Sequence, residues 1–309
     1  MHRKLTIGIP TYNRSTVIKK NIENILSSDL NVDLVVSDNG SDDDTWAVLS
    51  EFVDDRLTIN RNESNLGFTA NMLKLIELTK TDFIFFISDE DVINPASLKR
   101  IIKKLETSSD VGVVYTSVAK ENGYIYNYIT SEINYKKLAV TDYAFSHGYM
   151  SGMIVNISYL DIYAFSHAVK DEKIILYPHE LFFILIMNSG AKLLLIEDVS
   201  CSQGVAEESA TYNVYQYDRY DKRAELISLY IRVVERLDIP SDYRKDVFNS
   251  LGRYSADVFY SNLLSERLRG TGFFIYLVSM FKSKISIFFI KHLIKKLIFK
   301  FKKIVGDKH

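Results

Sequence analysis

Three consecutive acids, Asp89-Glu90-Asp91, follow directly on the apolar run Phe83 to Ile87. Adjacent carboxylates repel one another, so a buried edge that carries three of them needs a cation. Hard divalent ions such as Mg2+ and Mn2+ take carboxylate oxygens and keep room for waters and substrate phosphates. A diphosphate bridged by such an ion is the ligand this chemistry suits. The triplet equally suits a solvated loop ahead of a helix: Asn94-Pro95 reads as a cap and first helical position, and acids are favourable near a helix N-terminus. Taken alone, the triplet leaves the two readings level.

The elements around the triplet decide what it meets. Leu5 to Pro10, Val32 to Val36, Leu57 to Asn60, Phe83 to Ile87 and Val111 to Tyr115 are short apolar runs that read as strands. Between them lie segments with helical spacing: Ser15 to Ser28, a helix capped by Ser41 with Asp42, Asp43 and Asp44 in its first turn, Phe68 to Leu78, and Asn94 to Leu105. Strands that are apolar throughout, alternating with helices, predict an α/β fold with a mostly parallel sheet covered on both faces. Such sheets bind ligands at the carboxyl ends of their strands. Polar clusters fall at three of those ends, Thr11 to Arg14, Ser37 to Ser41 and Ser88 to Asp91, so distant segments are expected to meet along one edge.

Beyond residue 117 the pattern is less regular. Strands are expected at Tyr124 to Ile129, Met153 to Ile157 and Lys192 to Ile196, with helices at Tyr159 to His167 and His179 to Met187. Further helices are expected at Lys222 to Leu237 and Ser241 to Leu264, split by Pro240. No internal repeat is evident.

Composition narrows the class. The chain has 309 residues, 47% of them hydrophobic, with 13 Gly and 4 Pro, which describes a folded protein with few linkers. A lone cysteine, Cys201, excludes an intramolecular disulfide and fits a reducing compartment. The net charge of -1 conceals an asymmetry, because residues 282 to 309 carry nine Lys against one Asp. That leaves a basic tail on an acidic body. In the tail, Ile290, Ile294, Leu297, Phe301 and Ile304 share a helical stripe, while Lys291, Lys295, Lys302 and Lys303 lie mostly off it. The charge-free run Gly270 to Phe281 falls short of the ~20 residues a spanning helix needs, so the tail is expected to lie on an anionic membrane surface. Docking on the body or on a second subunit, as in a homo-oligomer, is the other reading. Met1-His2-Arg3-Lys4 opens no long apolar stretch, so the expected place is the cytoplasm, peripheral to the inner face of the cell membrane, with no nucleic-acid partner.

Four motifs in order across about a hundred residues carry a family resemblance. Residues 5 to 117 resemble the nucleotide-sugar-binding half of a family 2 glycosyltransferase with the GT-A fold. Ile9-Pro10-Thr11-Tyr12-Asn13-Arg14 is similar to the first-strand motif, and Val36 to Thr45, with Asp38-Asn39-Gly40, resembles the second-strand aspartate and turn. Asn65-Leu66-Gly67-Phe68-Thr69-Ala70-Asn71 resembles the Asn-x-Gly segment, and Asp89-Glu90-Asp91 falls where the family has its D-x-D. The resemblance implies donor-nucleotide contacts from Pro10, Thr11, Tyr12, Arg14, Asp38, Asn39, Gly67, Asn71 and Asp89. It further implies a divalent metal, Mn2+ or Mg2+, at Asp91 and Asp89. Asn39 departs from the second Asp of many members, which bears on the base that is read.

Sugar transfer with inversion also needs a carboxylate that removes the acceptor's hydroxyl proton. The family takes it from a Glu-Asp pair opening a helix; Tyr177-Pro178-His179-Glu180 is the corresponding place, with Glu180 as base and His179 as the other candidate. A plain first-turn acid is the bland reading of Glu180. Ser151-Gly152-Met153-Ile154 resembles the strand lining the acceptor side. Tyr212, Tyr215, Tyr217 and Tyr220 are candidates for a sugar-stacking wall and Ser200 to Thr211 for a lid, with packing and a plain loop as alternatives.

The organisation expected is a glycosyltransferase domain over 1–211, with a donor half at 1–117 and an acceptor half at 118–211, a helical region at 212–271 and the tail at 272–309. The implied activity is metal-dependent transfer from a nucleotide-diphosphate sugar to a glycan or lipid-linked glycan hydroxyl. A catalytically degenerate binder or scaffold of a glycan assembly complex is the alternative. A dinucleotide oxidoreductase would need a G-x-G-x-x-G turn where Pro10-Thr11-Tyr12-Asn13-Arg14 stands.

Overall fold

The computed structural model of the chain describes residues 3–170, 172, 177–204, 220–263 and 271–306. They fall into two compact units, one of residues 1–136, 147–165 and 173–207, the other of 137–146, 166–172 and 208–309.

The first unit is built on a 10-stranded sheet. Its strands are β1 (Leu5–Thr11), β2 (Asp33–Asp38), β3 (Leu57–Arg61), β4 (Phe83–Phe86), β5 (Val92–Ile93), β6 (Val111–Lys120), β7 (Gly123–Tyr126), β8 (Ser131–Ile133), β9 (Met153–Asn156) and β10 (Lys192–Ser202). The order β3-β2-β1-β4-β9-β6-β10-β5 is parallel through β1, β2, β3 and β4 and again between β6 and β10. Strand β9 runs antiparallel between β4 and β6. The helices expected from the sequence pack as α1 (Ser15–Leu26), α2 (Thr45–Ser50), α3 (Phe68–Leu78) and α4 (Pro95–Thr107). Every residue of β1 and β4 is buried, as runs apolar on both faces require. Helix α4 starts as its sequence indicates: Asn94 accepts from the Ser97 amide and Pro95 takes the first position, where its missing N–H costs nothing.

The other helix of this unit, α7 (Pro178–Asn188), is buried from Pro178 to Met187. Such a helix, apolar all round, is a core element. Phe182 packs 6.2 Å from Phe86 of β4 and Phe183 5.5 Å from Tyr115 of β6, which fixes the helix against the sheet.

Several expectations are corrected. Helix α2 begins at Thr45 with Asp44 before it, so Ser41 caps no helix; its hydroxyl instead donates to Asp38, and residues 42–44 form a turn. The aromatic strand ends at Tyr126, three residues short of Ile129, because Tyr128 leaves the ladder to hydrogen-bond Ser117 and His147. Strand β10 runs on to Ser202, six residues past Ile196, since β6 continues beside it as far as Ala119. Helix α6 (Ile162–Val169) starts three residues later than Tyr159, which lies in a 3-10 turn.

The second unit holds α5 (Lys136–Tyr143), α8 (Tyr220–Arg236), α9 (Ser241–Leu263), α10 (Thr271–Lys282) and α11 (Ser286–Gly306). Pro240 separates α8 from α9 as expected, and Arg244 donates to the carbonyls of Leu237 at 2.8 Å and Ile239 at 3.2 Å in the connection between them. No helix of the described residues is long and apolar enough to cross a membrane.

Candidate active site

The three polar clusters do meet at the carboxyl edge of the parallel strands. Thr11, the last residue of β1, donates from its hydroxyl to Asp89 Oδ2 at 2.8 Å. Arg14 follows with its backbone N–H on Thr45 Oγ1 at 2.8 Å and its guanidinium 3.7 Å from Glu90 Oε2. Pro10 is buried in β1 beyond Gly8, the last residue paired with β4, so its missing N–H breaks no bond on that side.

An open cleft of about 580 Å³ lies beside this edge, lined among others by Tyr12, Gly40, Asp42, Arg61 and Asn65. Asp38, at the end of β2, is fully buried next to it. Its Oδ1 accepts from the amide of Ser41 at 3.0 Å and from that residue's hydroxyl at 2.5 Å. Its Oδ2 has no hydrogen-bond partner, and Arg61 Nε stands 3.6 Å away, an ion pair at longer than hydrogen-bond range. An orphaned carboxylate oxygen at this depth is an acceptor waiting for a donor such as a base N–H. Gly40, at φ +74, lets the turn approach the 62–65 loop, since a Cβ there would stand 2.5 Å from the Ser64 carbonyl carbon.

Asn39 and Asn71 face the other way. Asn39 Oδ1 accepts from Asn62 Nδ2 at 3.0 Å and from the Leu66 amide at 3.1 Å, while its Nδ2 donates to Asn65 Oδ1 at 2.9 Å. Asn71 exchanges bonds with Ser37, its Nδ2 donating to the carbonyl and its Oδ1 accepting from the hydroxyl. Both hold the loop that walls the cleft. Gly67, at φ +85, precedes α3 with open space around it, so backbone conformation alone explains the glycine.

The three acids divide by direction. Asp91 is 0% exposed and both its oxygens are occupied: Oδ1 accepts from Tyr149 OH at 2.7 Å and the Gly204 amide at 2.9 Å, Oδ2 from Ser151 Oγ at 2.5 Å. Gly204 packs so tightly that a Cβ would lie 1.8 Å from the Glu90 carbonyl oxygen. From the other side, Asn21 of α1 donates to the carbonyls of Asp89 at 3.1 Å and Asp91 at 2.9 Å. Glu90 is the acid turned outward, next to Arg14. Burial pushes the Asp89 carboxyl up to about 6, opposed by the Thr11 hydrogen bond and Arg14. Glu90 is likewise pushed up to about 6, by burial and then by the neighbouring acids. Two carboxylates that resist ionising next to one another suit a hard divalent cation, and Asp89 with Glu90 are the oxygen donors that could hold one. Among the described residues no set of three or more His, Cys, Asp or Glu is disposed to hold an ion unaided.

Ser151 and Tyr149 belong to the segment leading into β9, whose first residue, Met153, pairs with Phe86. That antiparallel entry brings residues 147–151 beyond the end of β4, where the acids are. The Ser88 amide donates to Ser151 Oγ at 2.9 Å. Glu180, in the first turn of α7, is 4% exposed, and its Oε1 lies 3.7 Å from where a Cβ on Gly148 would stand. His179 donates from Nε2 to the His147 carbonyl at 3.0 Å, while its Nδ1 is buried without a partner. His147 is itself stacked between Tyr115 at 4.2 Å and Tyr126 at 4.0 Å. Both histidines are held neutral by burial, His179 at about 4 and His147 well below its ordinary value.

A pH dependence of stability follows. The folded values lie below the unfolded one, so the unfolded chain binds more protons on acidification. The histidines' share of stability is fully present above about pH 6.5 and is lost as pH drops toward 4, roughly 3 kcal/mol of it for His179, while Asp89 and Glu90, raised to about 6, act in the opposite sense. Urea unfolding between pH 7 and 4 is expected to show the His179 share as a difference in slope between the parent and His179→Gln; identical slopes in the two would assign the histidine no part in it.

Sequence reasoning passed over Tyr149, Asn21 and Asn62, and took Gly204 only as part of the expected lid, whereas its amide donates to Asp91. Asn21 alone left a signal, a polar residue on the stripe Ile18, Ile22 and Ile25 that α1 buries. Tyr212, Tyr215 and Tyr217 lie outside the described residues, as do the side chain of Tyr220 and residues 205–211 of the expected lid.

Residues 6–160, half of the chain, match the model of glycosyl transferase family 2. The chain belongs to this family. Among curated relatives it is 29% identical over 105 residues to a GalNAc(5)-diNAcBac-PP-undecaprenol beta-1,3-glucosyltransferase of Campylobacter jejuni, covering 33% of this chain and 34% of that one. It is 25% identical over 135 residues to the Escherichia coli UDP-Glc:alpha-D-GlcNAc-diphosphoundecaprenol beta-1,3-glucosyltransferase WfaP, 42% of this chain and 53% of the other. The match thus spans about a third of the first relative's length and half of the second's. The fold is that of Staphylococcus aureus TarS in complex with UDP-GlcNAc, at TM-score 0.65, 15% identity and coverage of 90% and 79%. It is also that of a Pyrobaculum calidifontis mannosyltransferase with GDP-Man and Mn2+, at TM-score 0.54, 12% identity and coverage of 98% and 88%. The family 2 assignment agrees with the fold and motifs expected from residues 5 to 117.

Proposed function

We propose that this chain transfers a glycosyl group, with inversion, from a nucleoside-diphosphate sugar to a hydroxyl of a glycan or lipid-linked glycan. The observation that carries the reading is the buried Asp38 Oδ2 without a hydrogen-bond partner, beside a cleft, on the strand edge that also carries Asp89 and Glu90. Base and diphosphate thereby have separate places on one edge, the donor side at 1–117. Residues 118–211 supply the acceptor side, followed by a helical region at 212–271 and the tail at 272–309.

Asp38 accepts from the base, Thr11 and Arg14 border the nucleotide, and Tyr12 lines its cleft. Asp89 and Glu90 are the residues that would hold a divalent metal, Mn2+ or Mg2+, and Asp91 positions them from below. A divalent ion bound there supplies neutralisation of the charge that gathers on the departing diphosphate. Glu180 takes the acceptor hydroxyl proton as the acceptor oxygen bonds to the anomeric carbon and the bond from that carbon to the diphosphate oxygen breaks. His179 holds the 147–148 segment and is not the base.

The relatives named for undecaprenol-linked acceptors support an acceptor of that kind, reached at the inner face of the cell membrane through the basic tail, 272–309. The test is release of nucleoside diphosphate from UDP-sugars, then GDP-sugars, with an undecaprenyl-diphosphate-linked sugar as acceptor. Acceptor-dependent release supports the reading. Donor binding without release under any acceptor would favour the degenerate binder or scaffold.

A further inference from the structure

The tail is apolar on two faces, and among the described residues only one of them is covered. In α10, α11 and the turn between them, Tyr276, Met280, Ile285 and Phe289 are fully buried. Phe289 meets the Phe259 ring of α9 at 6.1 Å, and Tyr276 donates to the Ser255 carbonyl at 2.8 Å. These contacts fold the tail into the second unit. On the opposite side Val278 and Phe281 of α10 and Ile287, Ile294 and Ile298 of α11 stand in solvent, Phe281 53% exposed and Ile287 70%. Ile287, Ile294 and Ile298 repeat at spacings of seven and four, one line along a helix of about 30 Å. Lys291 and Lys295 are exposed along the edge of that line, and Lys282 at the end of α10.

A docked helix normally turns polar residues to water. Here no acidic residue occurs from Gly270 to Gly306. An apolar stripe edged by lysines and lacking acids has the chemistry of a helix lying in the headgroup layer of an anionic bilayer. A second copy fits less well, because it brings the same lysine-edged face without an acidic residue to answer those charges. Neither helix is both long and apolar enough to span.

We infer that the outward face of α10 and α11, with Val278, Phe281, Ile287, Ile294 and Ile298, is a preformed seat for an anionic lipid surface, the docked face keeping it in place. This deepens and rests on the membrane reading above. It departs from the stripe expected in sequence: Ile294 and Leu297 are exposed but Ile290 is half-buried, and the side chains of Phe301 and Ile304 lie outside the described residues.

The test is co-sedimentation of the full chain with vesicles of phosphatidylglycerol and phosphatidylcholine in equal parts, against phosphatidylcholine alone. The parent is expected to pellet with the anionic vesicles, less so in high salt. Ile287→Ser/Ile294→Ser/Ile298→Ser, whose unchanged thermal midpoint would confirm folding, is expected to bind roughly tenfold or more weakly. If the triple variant pellets like the parent, the face is wrong while the membrane reading stands. If the parent stays in solution with anionic vesicles, both fail. A lipid-free dimer that the triple variant dissolves, seen by ultracentrifugation, would assign the face to a second copy and overturn the inference.

Discussion

Glu180→Gln is expected to slow sugar transfer by roughly 10²–10⁴-fold while leaving donor affinity within about twofold. Gln keeps the shape and the accepting oxygen of Glu but cannot take a proton. The position is well enough fixed for the comparison to be clean. Pro178 opens α7, Phe182 and Phe183 anchor the helix on β4 and β6, and Glu180 is 4% exposed next to Gly148. Steady-state kinetics should show the loss in kcat, with KM for the donor nearly unchanged. His179→Gln serves as the contrast: it should lower stability and spare most of kcat. Full activity in Glu180→Gln, with transfer lost in His179→Gln, would reverse the two roles.

The second large effect separates three neighbouring acids. Glu90→Gln and Asp89→Asn are each expected to weaken Mn2+-dependent binding of a nucleoside diphosphate by at least roughly tenfold, with little change in the unfolding midpoint for Glu90→Gln. Asp91→Ala should behave differently. It leaves Tyr149 OH, Ser151 Oγ and the Gly204 amide facing a void, and buried donors without acceptors cost roughly 1–3 kcal/mol. Its main readout is therefore a fall in thermal or urea stability, with the metal dependence of the remaining folded protein far less altered than in Glu90→Gln. If Asp91→Asn, which preserves volume, abolished metal dependence without destabilising, Asp91 would be the metal-facing acid and Glu90 would not.

That division marks where sequence reading stops. β1, β2 and β4 are legible because they are buried on both faces, and a run such as Phe83 to Phe86 has no other stable place. Asn94-Pro95 announces α4 by local chemistry alone. The strands β5 and β8 have only two and three residues and no periodicity to read. The acidic triplet is conspicuous in sequence, but which of its members turns inward depends on Asn21, Tyr149, Ser151 and Gly204, which reach it from helix, loop and strand end up to 113 residues away. Asn39 and Asn71 pose the same problem. Their motif places them beside the donor, while their partners Asn62, Asn65 and Ser37 turn them into the wall behind it.

The most direct test of the donor site is calorimetric titration of the full chain with a panel of nucleoside diphosphates and their sugars, with and without Mn2+, on the parent, Glu90→Gln and Glu180→Gln. The account predicts binding of one base, dependent on Mn2+, lost in Glu90→Gln and retained in Glu180→Gln. Absence of binding by every member of the panel, or binding that ignores both Mn2+ and Glu90, would contradict it.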